Sequence, residues 1–81
     1  MSAQQILDIV EFMREIAEDN VLPKNVTQKL SAIMEILNDN SETSMKVSKA
    51  IHELEDIVDD KNLEAYSRTQ LYNVISQLET V

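Results

Sequence analysis

The chain has 81 residues, no cysteine, no glycine and a formal net charge of −8. Without cysteine it offers no disulfides, zinc–thiolate sites or thiol nucleophiles. Without glycine it lacks the residue that phosphate-cradling loops, dinucleotide fingerprints and EF-hand turns need for positive φ or close backbone approach. The acidic balance disfavours contact with phosphate backbones and anionic membranes.

Apolar residues recurring near 100° per residue predict a first helix over residues 3–19. Ile6, Ile9, Val10, Met13, Ile16 and Ala17 form its apolar stripe, with Phe12 at the edge and Leu7 off it. Asp8, Glu11, Arg14, Glu15 and Glu18 occupy the opposite face. Residues 20–22 break the pattern. Pro23 suits the first turn of a second helix, where a missing N–H costs nothing, and Asn25 with Gln28 has the spacing of a capping box. This helix reaches about residue 38, turning Val26, Leu30, Ile33, Met34 and Leu37 inward and leaving Ile36 at the rim.

Residues 39–44 hold several good N-cap residues, so the start of the third helix stays open. A calcium-loop reading of 39–42 fails for want of the essential glycine. The third helix ends near residue 59, with Val47, Ala50, Ile51, Leu54, Ile57 and Val58 inward. A turn then leads to a fourth helix over about 64–79, with Leu71, Val74, Ile75 and Leu78 as its stripe. No segment of useful length alternates apolar and polar, so strands are not expected.

The second half reads as a copy of the first. Residues 4–40 fall on 45–81 with a shift of 41 positions: Ile6 on Val47, Met13 on Leu54, Ile16 on Ile57, Leu30 on Leu71, Ile33 on Val74 and Leu37 on Leu78. A period near 40 residues is that of HEAT-type paired helices. The expectation is one all-α domain over 1–81, a four-helix antiparallel bundle built from two HEAT-like hairpins related by an internal repeat. A chain of this length buries only about 60–65% of its unfolded surface, so stability must come from regular helices or from a partner.

Chemistry is sparse. His52 points away from Ile51, Leu54 and Ile57, with Asp56 one turn on. A base or metal ligand assisted by Asp56 competes with a solvated surface histidine, and the absence of shelter favours the latter. A carboxylate-bridged two-metal bundle needs Glu-x-x-His on facing helices, whereas Lys49 stands three before His52. No serine or threonine has a histidine placed to activate it. No catalytic, cofactor-binding or metal-ligating residue is therefore assigned.

Two features remain. Glu15, Glu18 and Asp19 close the first helix, and Glu55, Asp56, Asp59 and Asp60 close the third. Negative charge at a helix C-terminus opposes the macrodipole, which marks Glu15, Glu18, Asp19, Asp56, Asp59 and Asp60 as a candidate docking end for a basic partner or a weakly held divalent cation. Solubility and capping of the following turns by Asp19 and Asp60 explain the same residues more simply. Leu7, Phe12, Ile36, Tyr66 and Tyr72 lie at the edges of the stripes or off them. They form a candidate partner or dimer surface, since two paired-helix repeats leave their flanks uncovered.

The run Leu7-Asp8-Ile9-Val10-Glu11-Phe12-Met13-Arg14-Glu15-Ile16-Ala17-Glu18-Asp19-Asn20, followed by Pro23-Lys24-Asn25-Val26, resembles a family of small archaeal proteins known as an uncharacterised protein family. Ile36-Leu37-Asn38-Asp39 and the later Ile57, Asp59, Asp60, Arg68 and Val74 are similar to its second half. The resemblance spans nearly the whole chain. It implies a small all-helical bundle in an archaeal cytoplasm and supplies no activity, cofactor or catalytic residue.

The start of the chain lacks the basic and apolar pattern of a signal peptide. Its longest apolar run, Ala32-Ile33-Met34, is far short of the ~20 residues of a membrane span. A cytoplasmic location is expected. The function expected is that of a small acidic interaction module or accessory subunit without catalysis. It would pack rim residues on a protein partner or on itself, with no direct nucleic-acid or membrane contact. An acidic ion-binding bundle or an enzyme using the helix-end carboxylates is the alternative.

Overall fold

The apolar stripes become four helices: α1 (Ala3–Asp19), α2 (Lys24–Asn38), α3 (Thr43–Val58) and α4 (Ala65–Glu79). The computed structural model describes residues 3–81, and among them there is no strand. Residues 1 and 2, within the chain start read against a signal-peptide pattern, lie outside the described residues. Helices of 15–17 residues are about 22–26 Å long at 1.5 Å per residue. They fit lengthwise into a body of 32 × 18 × 18 Å. None is long and apolar enough to cross a membrane.

Each helix packs against two others. α1 contacts α2 and α4, and α3 contacts the same two, so the four close into a ring about a single apolar cluster. Met13, Ile16, Leu30, Ile33, Leu37, Leu54, Ile57, Leu71 and Leu78 are fully buried within it. One face of each helix is aliphatic, and closing the ring removes all four faces from water together. That burial is the main driving force of the fold.

The turns explain how a chain without glycine links its four helices. No described residue has positive φ. The helices instead stop or start at extended residues: Pro23 (φ −54°, ψ 144°), Asp39 (φ −70°, ψ 161°), Glu42 (φ −54°, ψ 136°) and Glu64 (φ −67°, ψ 152°). Pro23 precedes α2 as its N-cap, and its carbonyl accepts from the N–H groups of Val26 and Thr27, each at 3.0 Å. The capping-box expectation at Asn25 and Gln28 is corrected accordingly. Asn25 lies inside α2 and its amide reaches across to Asp60. The open start of α3 resolves to Thr43, with Glu42 before it.

Candidate interaction surfaces

None of the four helices carries a basic residue in its last turn, so their terminal carbonyls lack the local cation that would complement the dipole. Neighbouring segments supply donors instead. Arg68 of α4 donates from Nε to the Val58 carbonyl at 2.8 Å. Its terminal nitrogen donates to the carbonyls of Asp60 and Leu63 at 2.9 and 3.1 Å. One guanidinium thus closes α3 and orders the α3–α4 turn. At the end of α2, Lys46 of α3 donates from Nζ to the Asp39 carbonyl at 2.9 Å. At the end of α1 the donor is neutral: Asn20 Nδ2 reaches the Ile16 carbonyl at 2.8 Å.

Asn20 also joins α1 to α4. Its Nδ2 donates to Gln70 Oε1 at 2.9 Å, and its Oδ1 accepts from the Ser67 hydroxyl at 3.2 Å. Ser67 is 2% exposed and is the buried polar residue of the core, so this bond is what makes its burial tolerable. No buried side-chain nitrogen or oxygen lacks a partner among the described residues.

The acidic residues divide by environment. Glu15, Glu18, Asp19, Asp56 and Asp59 are exposed. Asp60 is half-buried and engaged, accepting from Asn25 Nδ2 and from the Asn62 N–H, both at 2.8 Å. The Asn25 bond first, then the Asn62 N–H, holds its carboxyl below its ordinary value, with the charges of Lys29 and Arg68 helping and burial opposing. Asp60 is therefore part of the turn framework and not a free docking group. Among the described residues no group of three or more histidine, cysteine, aspartate or glutamate side chains converges to hold a metal ion. His52 is exposed.

The five rim residues do not form one surface. Phe12 packs partly buried against the core. Tyr66 and Tyr72 are exposed on α4, but six positions apart on a helix they point to different sides. Leu7, 52% exposed, lines a cleft with Ile6, Leu37 and the α2–α3 turn. Ile36 is half-buried and borders a groove on the other flank of that turn, opposite Met45. Asp39 and Lys46 line both depressions. The apolar surface that the structure does gather is thus the α2–α3 edge.

Met45, 66% exposed, was hidden from sequence reasoning because it follows a polar stretch and precedes the first periodic residue of α3. Its helical spacing to Lys49 and His52 marks a single outer face. Val21, 93% exposed in the α1–α2 connection, likewise carries no periodic signal.

These features define a small all-helical protein whose polar side chains tie helix ends together. The chain belongs to the uncharacterised protein family UPF0147, which it matches over residues 1–81. It is 37% identical over 81 residues to the UPF0147 protein of Methanosarcina acetivorans, covering 99% of this chain and 84% of that one. The UPF0147 protein of Archaeoglobus fulgidus is 36% identical, with coverage of 100% and 93%. That of Thermococcus kodakarensis is 31% identical, with 98% of both covered. The crystal structure of the unknown-function protein MMP1188 is similar at a TM-score of 0.92 and 29% identity, covering 100% of this chain and 93% of that chain. The archaeal family resemblance read from the sequence therefore stands, and the family carries no assigned role.

Proposed function

We propose that the chain is a non-catalytic interaction module that packs its α2–α3 edge on a protein surface in the archaeal cytoplasm. In this reading it is an antiparallel bundle of two HEAT-like hairpins related by an internal repeat. Burial under the shift of 41 supports the repeat: Ile6 and Val47, Ile9 and Ala50, Met13 and Leu54, and Leu30 and Leu71 are all buried. Connections of four, four and six residues between packed neighbours support the antiparallel arrangement, since such short links return the chain alongside itself.

The observation that carries the functional reading is the α2–α3 edge, where exposed Met45 and half-buried Ile36 face a groove shared with Asp39, Lys46 and Lys49. Methionine there supplies adaptable apolar contact, and the acidic remainder of the surface steers orientation and approach. A tagged chain and its Met45→Glu variant, each drawn through native archaeal extract, test this. A stoichiometric protein retained by the first and reduced at least about tenfold (1.4 kcal/mol) by the second is the expected result. Recovery of bait alone, or equal retention by both, would contradict it.

A further inference from the structure

The chain has four methionines and no cysteine. Peroxides attack thiolates and thioethers, so in this protein two-electron oxidation falls on methionine sulfur. Packing separates the described methionines sharply. Met13 is 0% exposed within the core. Met34 is half-buried and packs against that core from α2. Met45 is 66% exposed in the first turn of α3.

Exposure sets the order of reaction. A peroxide reaches the Met45 side chain in the folded molecule. Met13 has to wait for opening, and a marginally stable domain holds only about 10⁻³–10⁻⁶ of its molecules unfolded. We propose that Met45 is an oxidation site of this protein, converted to methionine sulfoxide by peroxide ahead of Met34 and Met13, with the fold left intact. In that step the O–O bond of hydrogen peroxide breaks and one oxygen bonds to the thioether sulfur. The sulfur is oxidised by two electrons and the peroxide is reduced to water.

The consequence lies at the α2–α3 edge, where Met45 shares a groove with Ile36, Asp39, Lys46 and Lys49. A sulfoxide puts a polar, chiral group in place of an adaptable apolar one. The groove then keeps only half-buried Ile36 as an apolar wall. Met45 stands outside the core cluster, so the same change costs the fold little. The proposal adds a regulation to the edge read above as an interaction surface, and rests on that reading only for its effect on a partner.

Native chain treated briefly with dilute hydrogen peroxide, and mapped peptide by peptide by mass, should gain sulfoxide at Met45 at least about a hundredfold faster than at Met13. In denaturing urea the two should react alike. The Met45-oxidised chain should keep its far-UV circular dichroism and its unfolding midpoint, and should leave a hydrophobic-interaction column earlier. Comparable native rates at Met45 and Met13, or unfolding that accompanies the first Met45 sulfoxide, would overturn the proposal. In capture from extract, the sulfoxide should reduce retention of a bound protein at least about tenfold, an effect that Met45→Leu, treated in the same way, should not show. Equal retention by oxidised and untreated chain would overturn the regulation. If neither form captures a protein while Met45 still oxidises first, the interaction-module reading falls and the oxidation site stands.

Discussion

At the scale of single residues, the polar side chains that hold this fold were invisible to periodicity. Asn20 engages Ile16, Ser67 and Gln70 at once, so Asn20→Ala strips the Ser67 hydroxyl of its acceptor inside the core. A buried donor left unpaired costs about 1–3 kcal/mol. Urea denaturation should show a loss of that size for Asn20→Ala and a smaller one for Ser67→Ala, which removes the donor together with its need. Asp60 offers a pH signature. Its folded value is depressed, so its contribution is present above the unfolded carboxyl value and is lost as pH falls through the folded one. Asn25→Ala removes the largest cause, and the carbon-13 titration of the Asp60 carboxyl should move up towards the unfolded value. An unmoved midpoint would show that the Asn25 amide does not hold it.

At the scale of elements, the ends of α2 and α3 each depend on a donor from the helix that follows. Arg68→Ala removes the guanidinium from the carbonyls of Val58, Asp60 and Leu63, leaving Asp60 only the Leu63 N–H. With charge-assisted bonds worth about 1.5–3 kcal/mol, amide hydrogen exchange should quicken in the last turn of α3 before the rest of the bundle. Arg68→Lys should not restore protection, because one ammonium cannot reproduce the fork of a guanidinium. The helices themselves were legible in the sequence, since aliphatic residues at 3.6 spacing record a buried stripe directly. Ile6, Met13, Leu30, Leu54 and Leu71 all lie in the core as that spacing requires. The cross-links were not, because Asn20 to Gln70 and Asn25 to Asp60 span 50 and 35 positions and follow no period. Capping of the following turn by Asp60 was legible, and its bond to the Asn62 N–H bears that out; its second bond, from Asn25 of α2, was not.

At the scale of the whole molecule, the ring of four helices decides which off-stripe residues become surface. Phe12, at the edge of the α1 stripe, is drawn against the core. Leu7 and Ile36 fall on either flank of the α2–α3 turn, and Met45 joins them although nothing in its sequence neighbourhood announced it. Periodicity reports the inward face of each helix, but the grouping of outward residues depends on which helices are neighbours. A core substitution separates the two roles. Leu54→Ala, at a fully buried position, should lower stability by about 2–5 kcal/mol. Met45→Glu should leave stability within about 0.5 kcal/mol and act on association alone.

The central claim is that the α2–α3 edge is the surface through which this protein acts, and cross-saturation in solution tests it most directly. Deuterated, nitrogen-15-labelled chain is held in the complex it forms, with unlabelled copies or with a protein captured from extract, and the partner's protons are irradiated. Intensity losses confined to the amides around Ile36, Asp39, Met45 and Lys49 are the predicted result. Losses centred on Tyr66, Tyr72 or the carboxylates closing α1 and α3, with the α2–α3 edge untouched, would contradict it.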